Sequence, residues 1–212
     1  MSTGPTSAGV PTAGPVPPVL LALRPEIGEL GGSNARYEKF LTDLEGLYRD
    51  ADAYREQLAG DDGRPVYWVE SSQTEDGPGG LITGISVLEP GVVGTEYAMT
   101  RGHLHAISDR SELYVGLSGH GVMILDAVEG DSRVVEIGPG QAVYVPGHWV
   151  HRSVNTGTER LSTLFCYAGD AGQDYGIIER AGGMKSLVVV DGDGWSVQPN
   201  PDHRGYELAE RA

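Results

Sequence analysis

The chain has 212 residues, 32 of them glycine and 13 proline, and it carries 30 acidic against 15 basic side chains for a formal charge of −15. That length suits one domain with its own core, and the abundance of turn formers around short β-branched and aromatic runs favours an all-β domain over long helices or disorder. The acidic field repels phosphate backbones, which argues against a nucleic-acid partner and leaves any anionic substrate to be held by a local basic or metal-centred patch.

Residues 1–18 are Ser, Thr, Gly, Ala and Pro without apolar period and are expected to form a disordered leader. The apolar run Val19 to Leu23 is too short for a signal-peptide core or a membrane span, and no positive region precedes it. A soluble cytoplasmic protein with no membrane partner is therefore expected. Between Asn34 and Leu58, Tyr37, Phe40, Leu41, Leu44, Leu47 and Tyr48 recur at steps of three and four. This predicts a helical segment, broken at Gly46 and restarted near Asp50, lying against the outside of a sheet.

Strand-like text begins at Pro65. The predicted strands are Val66 to Glu70, Leu81 to Leu88, Glu96 to Met99, Glu112 to Leu117, Gly121 to Asp126, Ser132 to Ile137, Ala142 to Val145, His151 to Asn155, Leu161 to Tyr167 and Lys185 to Val190. Ser118-Gly119-His120 is expected to close a tight hairpin, and Gly138-Pro139-Gly140 and Asp191 to Gly194 to form turns. Short strands so spaced indicate a barrel or sandwich, one domain over 19–205 with a tail at 206–212. Cys166, the lone cysteine, sits in Leu164-Phe165-Cys166-Tyr167 and reads as a buried thiol in a reducing compartment.

His103-Leu104-His105 puts two imidazoles on one face if the segment is extended. Alone this is a weak signal, but Glu112 opens the next strand with Tyr114 on its face. Downstream, Gly140 leads through Pro146 and His148 to His151 and Asn155. These residues resemble the two motifs of the cupins, whose fold is an all-β jelly-roll barrel. Six residues separate His105 from Glu112, a longer gap than the common form, and Tyr97 stands where a leading glycine is usual. Three imidazoles and a carboxylate suit one divalent ion, Fe(II), Mn(II), Ni(II) or Zn(II), with a position left open.

A narrower resemblance covers roughly residues 25–202. Glu96 to His105, Ser111 to Gly119, Val143 to Asn155 and Tyr167 to Gly176 are similar to the cupin-type glucose-6-phosphate isomerases of archaeal type. The resemblance implies one metal ion per subunit, Fe(II) foremost, on His103, His105, Glu112 and His151. It places the sugar phosphate near Tyr67, Ser86, Thr100, Gly102 and Tyr167, with Ser86 standing for a threonine, and Arg101 as a further basic candidate. The sugar is expected against Tyr114 and Tyr175. It implies a cytoplasmic homodimer serving glycolysis and gluconeogenesis. The implied reaction is aldose–ketose isomerisation through an enediolate, with Glu112 as the leading base, or through a hydride shift. Gln173 departs from the family's usual histidine in this run and cannot shuttle a proton. That departure keeps open a related sugar or sugar-phosphate isomerase or epimerase; a non-catalytic sugar-binding cupin and an oxygen-dependent dioxygenase are further readings of such a ligand set.

Other conspicuous residues read more plainly. His120 and His203 are expected to be solvated, and His148 is ambiguous. Trp68 and Trp149 read as core, and Asp61-Asp62 and Asp191 to Asp193 as turn formers.

Overall fold

The computed structural model describes residues 15–208; most of the expected leader lies outside them. The strands in chain order are β1 (Ala22–Arg24), β2 (Glu29–Gly31), β3 (Ala35–Lys39), β4 (Tyr67–Gln73), β5 (Leu81–Leu88), β6 (Val92–Val93), β7 (Glu96–Tyr97) and β8 (Glu112–Ser118). They continue with β9 (Gly121–Ala127), β10 (Ser132–Ile137), β11 (Ala142–Val145), β12 (Trp149–Val154), β13 (Leu161–Ala168), β14 (Ser186–Asp191) and β15 (Gly194–Pro199). Two helices, α1 (Ala51–Ala59) and α2 (Gly176–Arg180), and a 3-10 turn at Leu41–Leu44 complete the fold. Among the described residues no helix is long and apolar enough to cross a membrane.

One sheet has the order β11-β8-β13-β5-β4-β3. A second layer is made of β10-β9-β12 and β15-β14-β7-β6, linked by the isolated bridge between Met99 and Val154. One continuous core draws on both layers: Leu88, Tyr114 and Phe165 from the first pack in the same cluster as Val122, Met123, Leu125, Val150 and Val154 from the second. Full burial of each such side chain contributes about 1.5–3 kcal/mol. This double-layered, all-β arrangement is the cupin jelly roll. A smaller cluster, Leu30, Trp68, Ile85 and Val87, sits where the β1–β2 hairpin covers the outer face of the six-stranded sheet.

Several sequence expectations are corrected. Residues 35–39 form a strand paired with β4 rather than the start of a helix, with Tyr37 opposite Val69. The three-and-four spacing there was a coincidence that sheet pairing overrides. Helical turns do follow at Leu41–Leu44 and in α1, where the Asp50 carboxylate caps the amides of Asp52 and Ala53. The Gly119-His120 connection is a corner between layers and not a hairpin, since β8 pairs with β11 and β13 while β9 pairs with β10 and β12. Gly119 has φ +70°, and a Cβ there would lie 2.2 Å from the Arg160 carbonyl oxygen, so only glycine lets the chain turn this corner. Besides β3, the strands that went unread are β1 and β2 at the N-terminal side, the two-residue β6, and β15 at the C-terminal side. The last pairs with β14 through the expected 191–194 turn. His203 is partly buried, its Nδ1 2.8 Å from the Gly183 carbonyl, rather than solvated. Tyr206 reaches back to donate its hydroxyl proton to buried Asp126 at 2.6 Å.

Candidate metal centre

The site forms where the His103–His105 segment, β8 and β12 converge. His103 and His105 lie on extended chain held by isolated bridges, not within a ladder strand as expected. His103 and His151 exchange both backbone hydrogen bonds at 3.0 Å, so their side chains leave the paired backbones on one face. Glu112 opens β8 with Val145 opposite on one side and Tyr167 on the other, which fixes the backbone from which its carboxylate projects. The long gap before it has a structural purpose. Ala106 and Ile107 pair with Gly172 and Ala171, Arg110 grips the Asp170 carboxylate with two hydrogen bonds, and the Arg110 carbonyl lies 2.8 Å from His105 Nδ1.

The four ligand atoms all lie within 4.8 Å of one another, on side chains that are almost fully buried. Glu112 Oε2 is 2.9 Å from His151 Nε2, 3.2 Å from His105 Nε2 and 3.7 Å from His103 Nε2. The Nδ1 atoms of His105 and His151 face the carbonyls of Arg110 and Trp149. A proton is therefore fixed on each Nδ1, and the Nε2 lone pairs are turned inward. His103 Nε2 and His105 Nε2 are buried without any hydrogen-bond partner. Buried polar atoms are rarely left so, and convergent lone pairs around one carboxylate are relieved by a positive ion between them. The donor set thus fits a divalent metal such as Fe, Mn, Ni or Zn.

The electrostatics agree. Burial alone would raise the Glu112 carboxyl, but the hydrogen-bonding and charge of the surrounding histidines hold it well below the usual carboxylate range. Burial, then the neighbouring His151 ring, pushes His103 well below the usual imidazole range. For His105 burial acts downward too, yet the Glu112 carboxylate and the Arg110 carbonyl outweigh it and raise the group. Tyr114, raised by burial and then by Glu112, stays a protonated phenol beside the centre.

A cavity opens over His103, Glu112 and His151. Tyr67, Ser86, Thr100 and Gly102 line it, as do Tyr114, Gln173 and Tyr175. Tyr167 is held just behind, its ring 5.1 Å from His105 and its hydroxyl accepting from Gln173 Nε2 at 3.3 Å. Tyr175 donates its hydroxyl proton to Gln173 Oε1, so Gln173 ties the two phenols together. Arg101 lies at the rim, its guanidinium 5.9 Å from the Tyr175 ring centre and 4.0 Å from Glu179. His148 is exposed and does not border the cavity, with φ +66° and its amide bound to the Ser108 carbonyl. Trp68 is buried, its indole N–H donating to the Gly28 carbonyl, and Trp149 packs against the core. Asn155 is wholly buried and structural, bonded to the carbonyls of Leu88 and Glu159 and to the Gly157 amide.

Five lining residues escaped the sequence reading: Tyr37, Val69, Arg152, Ser153 and Phe165. The continuous apolar runs Tyr67 to Val69 and Leu164 to Tyr167 mark buried strands, a usable signal for Val69 and Phe165; for Tyr37 and Arg152 there was none without the strand pairings.

The sequence model of the glucose-6-phosphate isomerase family matches residues 38–204. The chain is 42% identical over 183 residues to the putative glucose-6-phosphate isomerase 1 of Rhizobium meliloti, covering 86% of each chain. It is 45% identical over 167 residues to the putative glucose-6-phosphate isomerase 2 of the same organism, covering 78% of this chain and 82% of that one. With the glucose-6-phosphate isomerase of Thermococcus kodakarensis it shares 41% identity over 176 residues, covering 83% of this chain and 92% of the relative. Solved structures of Bacillus subtilis oxalate decarboxylase align with 51% of this chain and 27% of theirs at a TM-score of 0.42 and 22% identity, a likeness too slight to speak to function. On the family match and on these relatives, the chain belongs to the cupin-type glucose-6-phosphate isomerase family.

Proposed function

We propose that this protein is a metal-dependent aldose–ketose isomerase that interconverts glucose 6-phosphate and fructose 6-phosphate. The observation that carries the reading is the buried cluster of His103, His105, Glu112 and His151, with two orphaned Nε2 atoms, at the floor of a cavity in a chain of this family. When bound, a divalent ion supplies Lewis acidity to the adjacent sugar oxygens. Glu112 moves the proton between C2 and C1, a role that competes with its place among the imidazoles. Tyr114 and Tyr175 bear on the sugar as neutral phenols, Tyr175 with its own proton held by Gln173 Oε1 and its oxygen left to accept. Tyr67, Ser86, Thr100, Gly102 and Tyr167 receive the phosphate, offering hydroxyls and a backbone N–H in place of net positive charge. Gln173 fixes the hydroxyls of Tyr167 and Tyr175 but has no proton to exchange. Its presence supports a second reading, a related sugar-phosphate isomerase of altered specificity.

Fe(II) is the first choice of metal, and the protein is taken as one domain over 19–205, acting as a homodimer in the cytoplasm. The test is turnover of both sugar phosphates by metal-free and metal-loaded protein. Activity abolished by chelation and restored by a divalent ion supports the first reading. Metal-dependent binding of both esters without turnover would overturn it. If Gln173→His raises turnover of glucose 6-phosphate, the second reading gains.

A further inference from the structure

Arg152 follows the ligand candidate His151 on β12 and borders the same cavity, next to Gly102. The residue is 5% exposed, and its guanidinium has few partners. One terminal nitrogen donates to the Met99 thioether, a weak acceptor, and the other to the Arg101 carbonyl at 2.7 Å. Nε is buried without a partner, and no carboxylate lies within 4 Å among the described residues. Glu96 is the acid that bears on it electrostatically, at longer range, and its own carboxylate is engaged by the Arg49 amide. A buried cation left without a direct counter-charge is costly unless something else repays it.

The bond to the Arg101 carbonyl has a geometric consequence. In a trans peptide the C=O of Arg101 and the N–H of Gly102 point in opposite directions, and no cis peptide occurs among the described residues. Holding the carbonyl from beneath therefore turns the Gly102 N–H the other way. Gly102 lines the cavity at φ +76°, and its N–H has no acceptor among the described residues, whereas the flanking Arg101 and His103 amides bond to the Tyr67 hydroxyl and the His151 carbonyl. We infer that Arg152 is a positioning residue for anion specificity: it pins the 100–102 turn so that the Gly102 N–H meets the substrate's phosphate, and it places an unpaired positive charge behind that subsite. The inference rests on the phosphosugar reading above. It explains how a chain of charge −15, with an anion subsite of neutral donors, favours a phosphorylated sugar over a neutral one.

The test is equilibrium binding of inorganic phosphate, and of glucose 6-phosphate against glucose, to metal-loaded wild type, Arg152→Lys and Arg152→Met. Arg152→Met should weaken phosphate and glucose 6-phosphate at least about tenfold, leave glucose binding and metal stoichiometry unchanged, and raise KM far more than it lowers kcat. Arg152→Lys, which keeps the charge but not the fork, should fall between. Phosphate affinity within twofold of wild type in a folded, metal-replete Arg152→Met protein overturns the inference. Should that variant not fold, wild type with Zn(II) decides: on titration with phosphate the Gly102 amide and Arg152 Nε resonances must shift, and silence at both overturns it. Arg152-dependent phosphate binding without isomerisation sinks the proposed reaction alone, and isomerisation with Arg152-independent phosphate binding sinks only this inference.

Discussion

Gly102→Ala tests how tightly the backbone around the metal centre is built. An added Cβ would meet Ile178 Cδ1 at 2.7 Å, the His151 carbonyl oxygen at 2.8 Å and Arg152 Cβ at 2.9 Å, at a residue whose φ is +76°. The left-handed conformation alone costs alanine about 1–2 kcal/mol. Ile178 can move its terminal methyl, but the His151 carbonyl is fixed twice, by β12 pairing with β9 and by the amide of His103. Relief therefore requires the 101–103 backbone to back away from β12, which adds about 1–3 kcal/mol of overpacking strain and shifts His103 from its fellow ligands. The expected total is about 2–5 kcal/mol of stability, with metal affinity down by about tenfold or more, the counterpart of about 1.4 kcal/mol lost at the site. Gly140→Ala is the control, because Gly140 has φ +79° and nothing within 4 Å of its built Cβ; it should lose only about 1–2 kcal/mol and bind metal normally. Urea unfolding of the metal-free proteins and calorimetric metal titration give both quantities. Equal stability and equal metal affinity for the two variants would refute the reasoning.

Three further outcomes follow from the same geometry. Glu112→Gln keeps the shape but removes the charge that the three Nε2 atoms surround, and metal affinity should drop by more than about 100-fold, beyond what loss of outer-shell support costs; titration showing under tenfold would contradict a ligand role. Asn155→Ala strands two carbonyls and one amide at the buried end of β12. It should cost about 2–4 kcal/mol in urea unfolding while the metal affinity of the folded protein stays within a few fold, and a loss under 1 kcal/mol would mean the contacts are replaced by water. Metal binding should release protons and tighten as pH rises: His105, raised above the ordinary value of 6.5, must give up its proton to bind, so competition extends above that pH. For the metal-free fold the signs differ by group. The raised His105 adds stability that is full below its unfolded pKa and lost as pH rises through the folded one, whereas the depressed Glu112 adds stability lost as pH falls below the usual carboxylate range. Calorimetry in two buffers of different ionisation enthalpy measures the released protons, and a pH-independent affinity between 6 and 8 would be inconsistent with protonated His105 in the free site.

The amino-acid sequence alone determined the four candidate ligands, most ladder strands and the family, because each rests on local information. Residue type and spacing mark His103, His105, Glu112 and His151, and short β-branched and apolar runs bounded by turn residues mark β5, β9, β10 and β13. Gln173 was also visible as a departure, although its bridge between Tyr167 and Tyr175 was not. Only the tertiary structure decided which strand pairs with which. Tyr37 carries a helical spacing yet lies on β3, since the open edge of β4 offered backbone hydrogen bonds that no local propensity could outweigh. Gly119-His120 has the chemistry of a hairpin turn yet crosses between layers, since both flanking strands are already paired elsewhere. Arg152 is unremarkable in the text beside His151; its place against the 100–102 turn arises from bridges between segments about 50 residues apart, Met99 with Val154 and His103 with His151, which no short-range pattern encodes.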